Sequence, residues 1–74
     1  MKEKKPENIA FGKRIAELRH GLQLSQEQLA FECGLDRTYI GHIERGEKSA
    51  TIVTIEKLAK GLKISKSELF AYDK

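Results

Sequence analysis

Apolar residues fall along this chain in short bursts at helical spacing, separated by glycines and small polar residues. Phe11, Ile15 and Leu18 recur at i, i+4 and i+7, Pro6 suits a first helical turn, and Gly21 stands as a stop signal, so the spacing predicts a helix from Pro6 to His20. Ser25 and Gln28 then form a capping box, in which each side chain accepts from the other residue's backbone N–H; Leu29, Ala30 and Cys33 supply the buried stripe of a second short helix ending near Gly34. Gly34 suits a left-handed exit, Leu35 plugs the core, and Asp36 caps a third helix that carries Ile40 and Ile43 and ends at Gly46. Thr51 is placed to cap a fourth helix with an inward stripe of Ile52, Ile55, Leu58, Ala59 and Leu62, stopping around Gly61. A second capping box, Ser65 with Glu68, opens a last short helix bearing Leu69, Phe70 and Tyr72, which a monomer is not expected to bury completely. The fold class this implies is all-α, with five compact helices.

The second and third helices are joined by so brief a turn that they must cross steeply. A helix-turn-helix needs a small residue where its helices touch, a turn residue tolerant of left-handed geometry, and apolar anchors beneath the second helix. Ala30, Gly34 and the set Leu29, Cys33, Leu35, Ile40 and Ile43 meet these requirements in order.

Composition narrows the function. A chain of 74 residues makes one domain burying roughly 60% of its unfolded surface, without room for a deep catalytic cleft. Residues 7–72 are expected to form it, and residues 1–6, with Lys2, Glu3, Lys4 and Lys5, a flexible tail that is either solvated or reaches towards phosphates. With 14 Lys and Arg against 11 Asp and Glu, the formal charge of +3 favours a polyanionic partner. The lone Cys33 permits no intrachain disulfide, and with His20 and His42 it gives no metal-site spacing, so neither metal nor cofactor is expected and a reducing cytoplasm fits best. No membrane-length or signal-length apolar run occurs, so a soluble protein without a membrane partner is expected. An enzyme is not expected either: no nucleophile stands with a base and an orienting group, and no glycine-rich loop cradles phosphate.

The stretches "FGKRIAELR", "LSQEQLA", "LDRTYIGHIERGE" and "TIEKLAKGLKISKSELF" resemble the lambda-repressor-like DNA-binding domain of the Cro/C1 (XRE) type, over about four-fifths of the chain from Phe11 to Phe70. The resemblance implies a compact five-helix regulator of transcription that lays its third helix in the major groove. Within that family, "LDRTYI" followed by "IERG" is most similar to the controller proteins of restriction-modification systems, which usually carry Ser then Gly where this chain has Gly41 then His42. The partners so implied are a roughly palindromic double-stranded DNA operator and a second copy of the chain, with RNA polymerase as a further candidate. A phage-type repressor, and an antitoxin or adaptor acting through protein contacts, are the alternatives.

Arg37 and Thr38 follow the Asp36 cap at the end of the third helix that enters the groove, where Arg binds guanine bidentately; the plainer alternative is a phosphate contact for Arg37 and a helix-start role for Thr38. His42 shares their outward face, either meeting a base edge or phosphate or having no role. Gly41 beside it marks either close approach to the duplex or a tolerated weakness. Tyr39 reaches phosphate with its hydroxyl or simply packs. Gln26, at a helix N-terminus that already favours anions, is expected to clamp phosphate, a role the resemblance also implies. Arg45, Lys48 and Ser49 are placed to flank the other strand, and Lys13 to a lesser extent, unless they are merely solvated. Lys57, Lys60, Lys63 and Lys66, interspersed with Glu56 and Glu68, read as a solvated face, and Cys33 as a small buried hydrophobe. The resemblance further implies an ion pair between Arg19 and Glu44 that fixes the angle of the third helix. Two copies are expected to pair through Leu69, Phe70, Val53 and Tyr72, spacing the recognition helices about 34 Å apart.

Overall fold

Each expected burst of apolar spacing becomes a helix. The computed structural model describes residues 4–72 and contains α1 (Pro6–Gly21), α2 (Gln26–Cys33), α3 (Arg37–Glu44), α4 (Ile52–Leu62) and α5 (Lys66–Leu69). Among the described residues there is no strand. Every helix contributes to one core: Ile15, Leu29, Ile40, Ile43, Leu58, Leu62 and Leu69 are fully buried, and Phe11, Ala30, Cys33 and Ala59 complete the cluster. Each such aliphatic side chain contributes about 1.5–3 kcal/mol by leaving water. α3 lies against both α1 and α2, and α4 packs on α2 and carries α5.

The helix starts follow the sequence. Ser25 Oγ accepts from Gln28 N at 3.0 Å while Gln28 Oε1 accepts from Ser25 N at 2.7 Å, closing the box. Asp36 accepts from Thr38 N at 2.7 Å, Thr51 from Thr54 N at 3.1 Å and Ser65 from Glu68 N at 3.1 Å. α1 begins at Pro6, where the spacing predicts, behind an extended Lys5. Met1, Lys2 and Glu3 lie outside the described residues, and Lys4 and Lys5 are exposed.

The helix exits share one geometry. After α1, α2, α3 and α4 a single residue turns left-handed: Gln23 at φ 59°, Gly34 at 68°, Gly46 at 76° and Lys63 at 62°. In each, the amide just beyond reaches back five residues, Leu24 to Arg19 O, Leu35 to Ala30 O, Glu47 to His42 O and Ile64 to Ala59 O, at 2.9–3.1 Å. This is a Schellman closure, satisfying carbonyls that the helix end would otherwise leave unpaired.

Two expected stop signals are therefore corrected. Gly21 is the last helical residue of α1, and the turn that follows is made by Gln23. Gly61 lies inside α4, where a Cβ would stand 3.1 Å from Cys33 Cα and closer still to its sulfur; it lets α4 press on α2. The α4 stripe also begins later than expected. Ile52 sits about 120° around the helix from Leu58 and is 78% exposed, whereas the polar Thr54 is buried. α5 ends at Leu69, leaving Phe70 as its C-cap and Tyr72 beyond it. Leu69 is 0% exposed and belongs to the core, so its expected place at a dimer seam is corrected: a side chain the monomer already encloses has no surface to offer. Phe31, on α2, is 84% exposed, and nothing in the structure explains an apolar ring there.

Candidate nucleic-acid interface

α3 is held from three sides before its outer face is considered. Ile40 and Ile43 are sealed beneath it. Gly12 of α1 lets the two backbones meet, since a Cβ there would lie 2.6 Å from Glu44 O. At its C-terminal end Glu44 accepts from Arg19 Nε at 2.7 Å and from Arg19 Nη2 at 3.0 Å, and the side chains are only 11% and 7% exposed. Arg19 Nη1 also donates to Leu24 O at 2.8 Å, binding the α1–α2 connection into the same knot. The ion pair implied by the resemblance is thus formed, and bidentate geometry makes it directional as well as charged.

Gln26 joins that knot: its Nε2 donates to Glu44 Oε1 at 3.0 Å. The residue expected to clamp phosphate is oriented by this hydrogen bond, half-buried at the first turn of α2. Glu44 lies 18 residues from Gln26 along the chain and is brought to it by the packing of α3 against α1 and α2.

Arg37 and Thr38 open α3 and are both exposed. Among the described residues neither side chain makes a hydrogen bond or ion pair within the protein, which leaves both available to a ligand. Tyr39 is half-buried and packs on the core, and its hydroxyl lies 3.2 Å from Thr54 Oγ1, which Thr51 Oγ1 also reaches at 3.0 Å. Its hydroxyl therefore ties α3 to the first turn of α4 in the free protein. Ser49 is likewise partnered, exchanging hydrogen bonds with Asn8 at 3.0 and 3.2 Å, so it secures the α3–α4 connection to α1. Lys48 and Lys13 are exposed.

At the far end of α3 the structure shows a residue that the sequence reading passed over. Glu47 accepts from Arg45 Nε at 3.0 Å and Arg45 Nη2 at 3.1 Å, and lies 2.7 Å from His42 Nδ1. The hydrogen bonds from Arg45, then from His42, hold the Glu47 carboxyl down at about 2, and the same contact raises the Arg45 guanidinium above its ordinary value. The signal was local but conformational: the left-handed Gly46 folds the chain back so that residue 47 faces residues 42 and 45. Cys33 behaves as expected of a buried small hydrophobe, with burial and then Glu32 pushing its thiol up to about 11 against a hydrogen bond with the Gly61 backbone.

The helix-turn-helix family HTH_3 matches residues 15–69, which span α2 to α5 and the C-terminal part of α1. The chain belongs to that family of transcriptional regulators. Its Cro/C1-type resemblance and five-helix fold are thereby confirmed. The regulator is 40% identical to control protein C.BamHI of Bacillus amyloliquefaciens over 65 residues, covering 86% of this chain and 80% of that protein. It is 44% identical to control protein C.MunI of a Mycoplasma species over 64 residues, covering 85% and 86%. The crystal structure of the restriction-modification controller protein C.AhdI from Aeromonas hydrophila superposes with a TM-score of 0.87 at 48% identity, covering 89% of this regulator and 100% of that chain. No described helix of the regulator is long and apolar enough to cross a membrane.

Proposed function

We propose that this regulator binds a roughly palindromic operator as a homodimer, with α3 of each copy in successive major grooves, and that it serves as a restriction-modification controller. The observation that carries the reading is the pairing of a rigid α3 with an unpartnered outer face. The Arg19–Glu44–Gln26 knot, Gly12 and the Ile40–Ile43 anchors fix the helix, while Arg37 and Thr38 stand exposed at the end that enters the groove. Guanine O6 and N7 are the acceptors that suit a guanidinium fork, and thymine methyl or a base acceptor suits Thr38. Lys48 adds a phosphate contact from the loop, and His42 a contact to base or backbone.

The similarity to C.BamHI, C.MunI and C.AhdI supports the controller role. Val53, Phe70 and Tyr72 remain as seam residues once Leu69 is assigned to the core, joined by the exposed Ile52. Phe70 stacks on Phe11 with ring centroids 5.3 Å apart and Arg14 donates to Glu68 O at 2.8 Å, so α5 is seated against α1 as a preformed surface. The regulator acts by occupying DNA in the cytoplasm, without catalysis, and contacts RNA polymerase where its operator adjoins a promoter.

Selection of bound duplexes from a random pool tests this. A two-fold symmetric site should emerge, and Arg37→Ala should cost about 1–3 kcal/mol on it while relaxing preference at one base pair of each half-site. An Arg37→Ala protein with unchanged base preference would show that α3 reads the groove with other side chains.

A further inference from the structure

We propose that Glu47 is an affinity-setting residue, an internal stand-in for DNA phosphate that holds Arg45 parked on α3 and so suppresses sequence-independent binding. The inference rests on the DNA-binding reading above.

The geometry supplies three supports. First, the Glu47 carboxylate takes two parallel hydrogen bonds from the Arg45 fork, at 3.0 and 3.1 Å, which is the arrangement a phosphate would adopt with the same donors. Second, α3 is shaped for the parked conformer. Gly41 is buried because the Arg45 guanidinium lies over it, and a Cβ at position 41 would come 3.1 Å from Arg45 Nη1. The glycine that reads as a sign of close approach to a duplex makes room here for the protein's own cation. Third, Glu47 is anchored twice more. Its amide closes the helix exit on His42 O at 2.9 Å, and its carboxylate lies 2.7 Å from His42 Nδ1. A carboxylate only accepts, so the imidazole donates from Nδ1 and presents Nε2 as its free ring atom. Arg45 Nη2 comes within 3.4 Å of that same Nδ1, so two donors converge on one carboxylate.

The consequence follows from where generic affinity arises. Sequence-independent binding comes from Lys and Arg displacing counterions from phosphates, and each such contact adds about 0.9 to the slope of log affinity against log salt. A guanidinium already paired with a carboxylate beside it has no net charge to offer until the pair opens. Glu47 thereby subtracts about one phosphate contact from every duplex, and leaves discrimination to the unpaired residues at the other end of α3.

Glu47→Gln keeps the shape and removes the charge. On a scrambled duplex it should bind roughly two- to tenfold more tightly than the parent at low salt, with a salt slope steeper by about 0.9. Loss of a negative charge near DNA would by itself raise affinity, so the same substitution is made in an Arg45→Ala background. There only the smaller gain from the lost negative charge should remain, and Arg45→Ala alone should cost little in the parent but several-fold in Glu47→Gln. Glu47→Ala should repeat the result, with circular dichroism reporting the fold. A gain undiminished in the absence of Arg45, or an unchanged salt slope, overturns the parking role while leaving DNA binding intact. If the parent binds neither scrambled nor selected duplex, the functional reading fails and takes this inference with it.

Discussion

Glu44 concentrates much of what makes α3 a fixed rod. One carboxylate, nearly enclosed, takes two donors from Arg19 and one from Gln26, drawing together α1, α2 and α3. Deleting it strands the Arg19 guanidinium at 11% exposure with only Leu24 O and its neighbour His20 beside it. Glu44→Ala is therefore expected to lower unfolding free energy by about 3–5 kcal/mol in urea titrations, a large share of the roughly 5–15 kcal/mol typical of a folded domain. Helical face was legible here, since Arg37 and Thr38 lie exposed at the start of α3, and the Arg19–Glu44 pair is the one the family resemblance implies. Hydroxyl and amide partners were not. Tyr39 finds Thr54 at 15 residues' separation and Ser49 finds Asn8 at 41, and a side chain that chemistry allows to hold phosphate can equally be satisfied within the fold.

Among elements, the exits of α1 to α4 repeat one closure with two kinds of residue at its left-handed position. Gly34 and Gly46 were readable because glycine adopts that backbone freely, while Gln23 and Lys63 hid it, and the glycines nearby drew the stop signal to the wrong place. Two positions at the end of α4, Gly61 within it and its C-cap Lys63, should consequently respond in opposite directions. Gly61→Ala puts a methyl into Cys33 and is expected to destabilise by about 1–3 kcal/mol. Lys63→Gly relieves a left-handed side-chain backbone at φ 62° and is expected to stabilise by about 0.5–1 kcal/mol, part of the gain being offset by a looser unfolded chain. Thermal melts of the two single variants read both signs.

For the whole molecule, the apolar surface left by folding includes Ile52 and Val53 where α4 begins and Phe70 just past α5, with Ile9, Leu22 and Phe31 exposed elsewhere. Val53 stands in the first turn of α4, exposed and outside the core, so charge there leaves the monomer intact. Val53→Asp should shift sedimentation equilibrium towards monomer with a melting free energy within about 0.5 kcal/mol of the parent. Operator affinity should fall with it, because two tethered half-site contacts become independent ones. A dimer that persists in this variant would place the seam elsewhere. The sequence identified this surface only in part: it named Val53, Phe70 and Tyr72 from their apolarity but added Leu69, because spacing alone does not say which member of an apolar pair turns inward.

The contact between Cys33 and Gly61 carries one more implication. A sulfur wedged against a neighbouring backbone, protonated well past neutrality, is hidden from electrophiles for as long as α2 and α4 stay together. The chain thus carries an internal chronometer, in which the rate of thiol labelling counts the openings of its central helix pair rather than any chemistry of the cysteine itself.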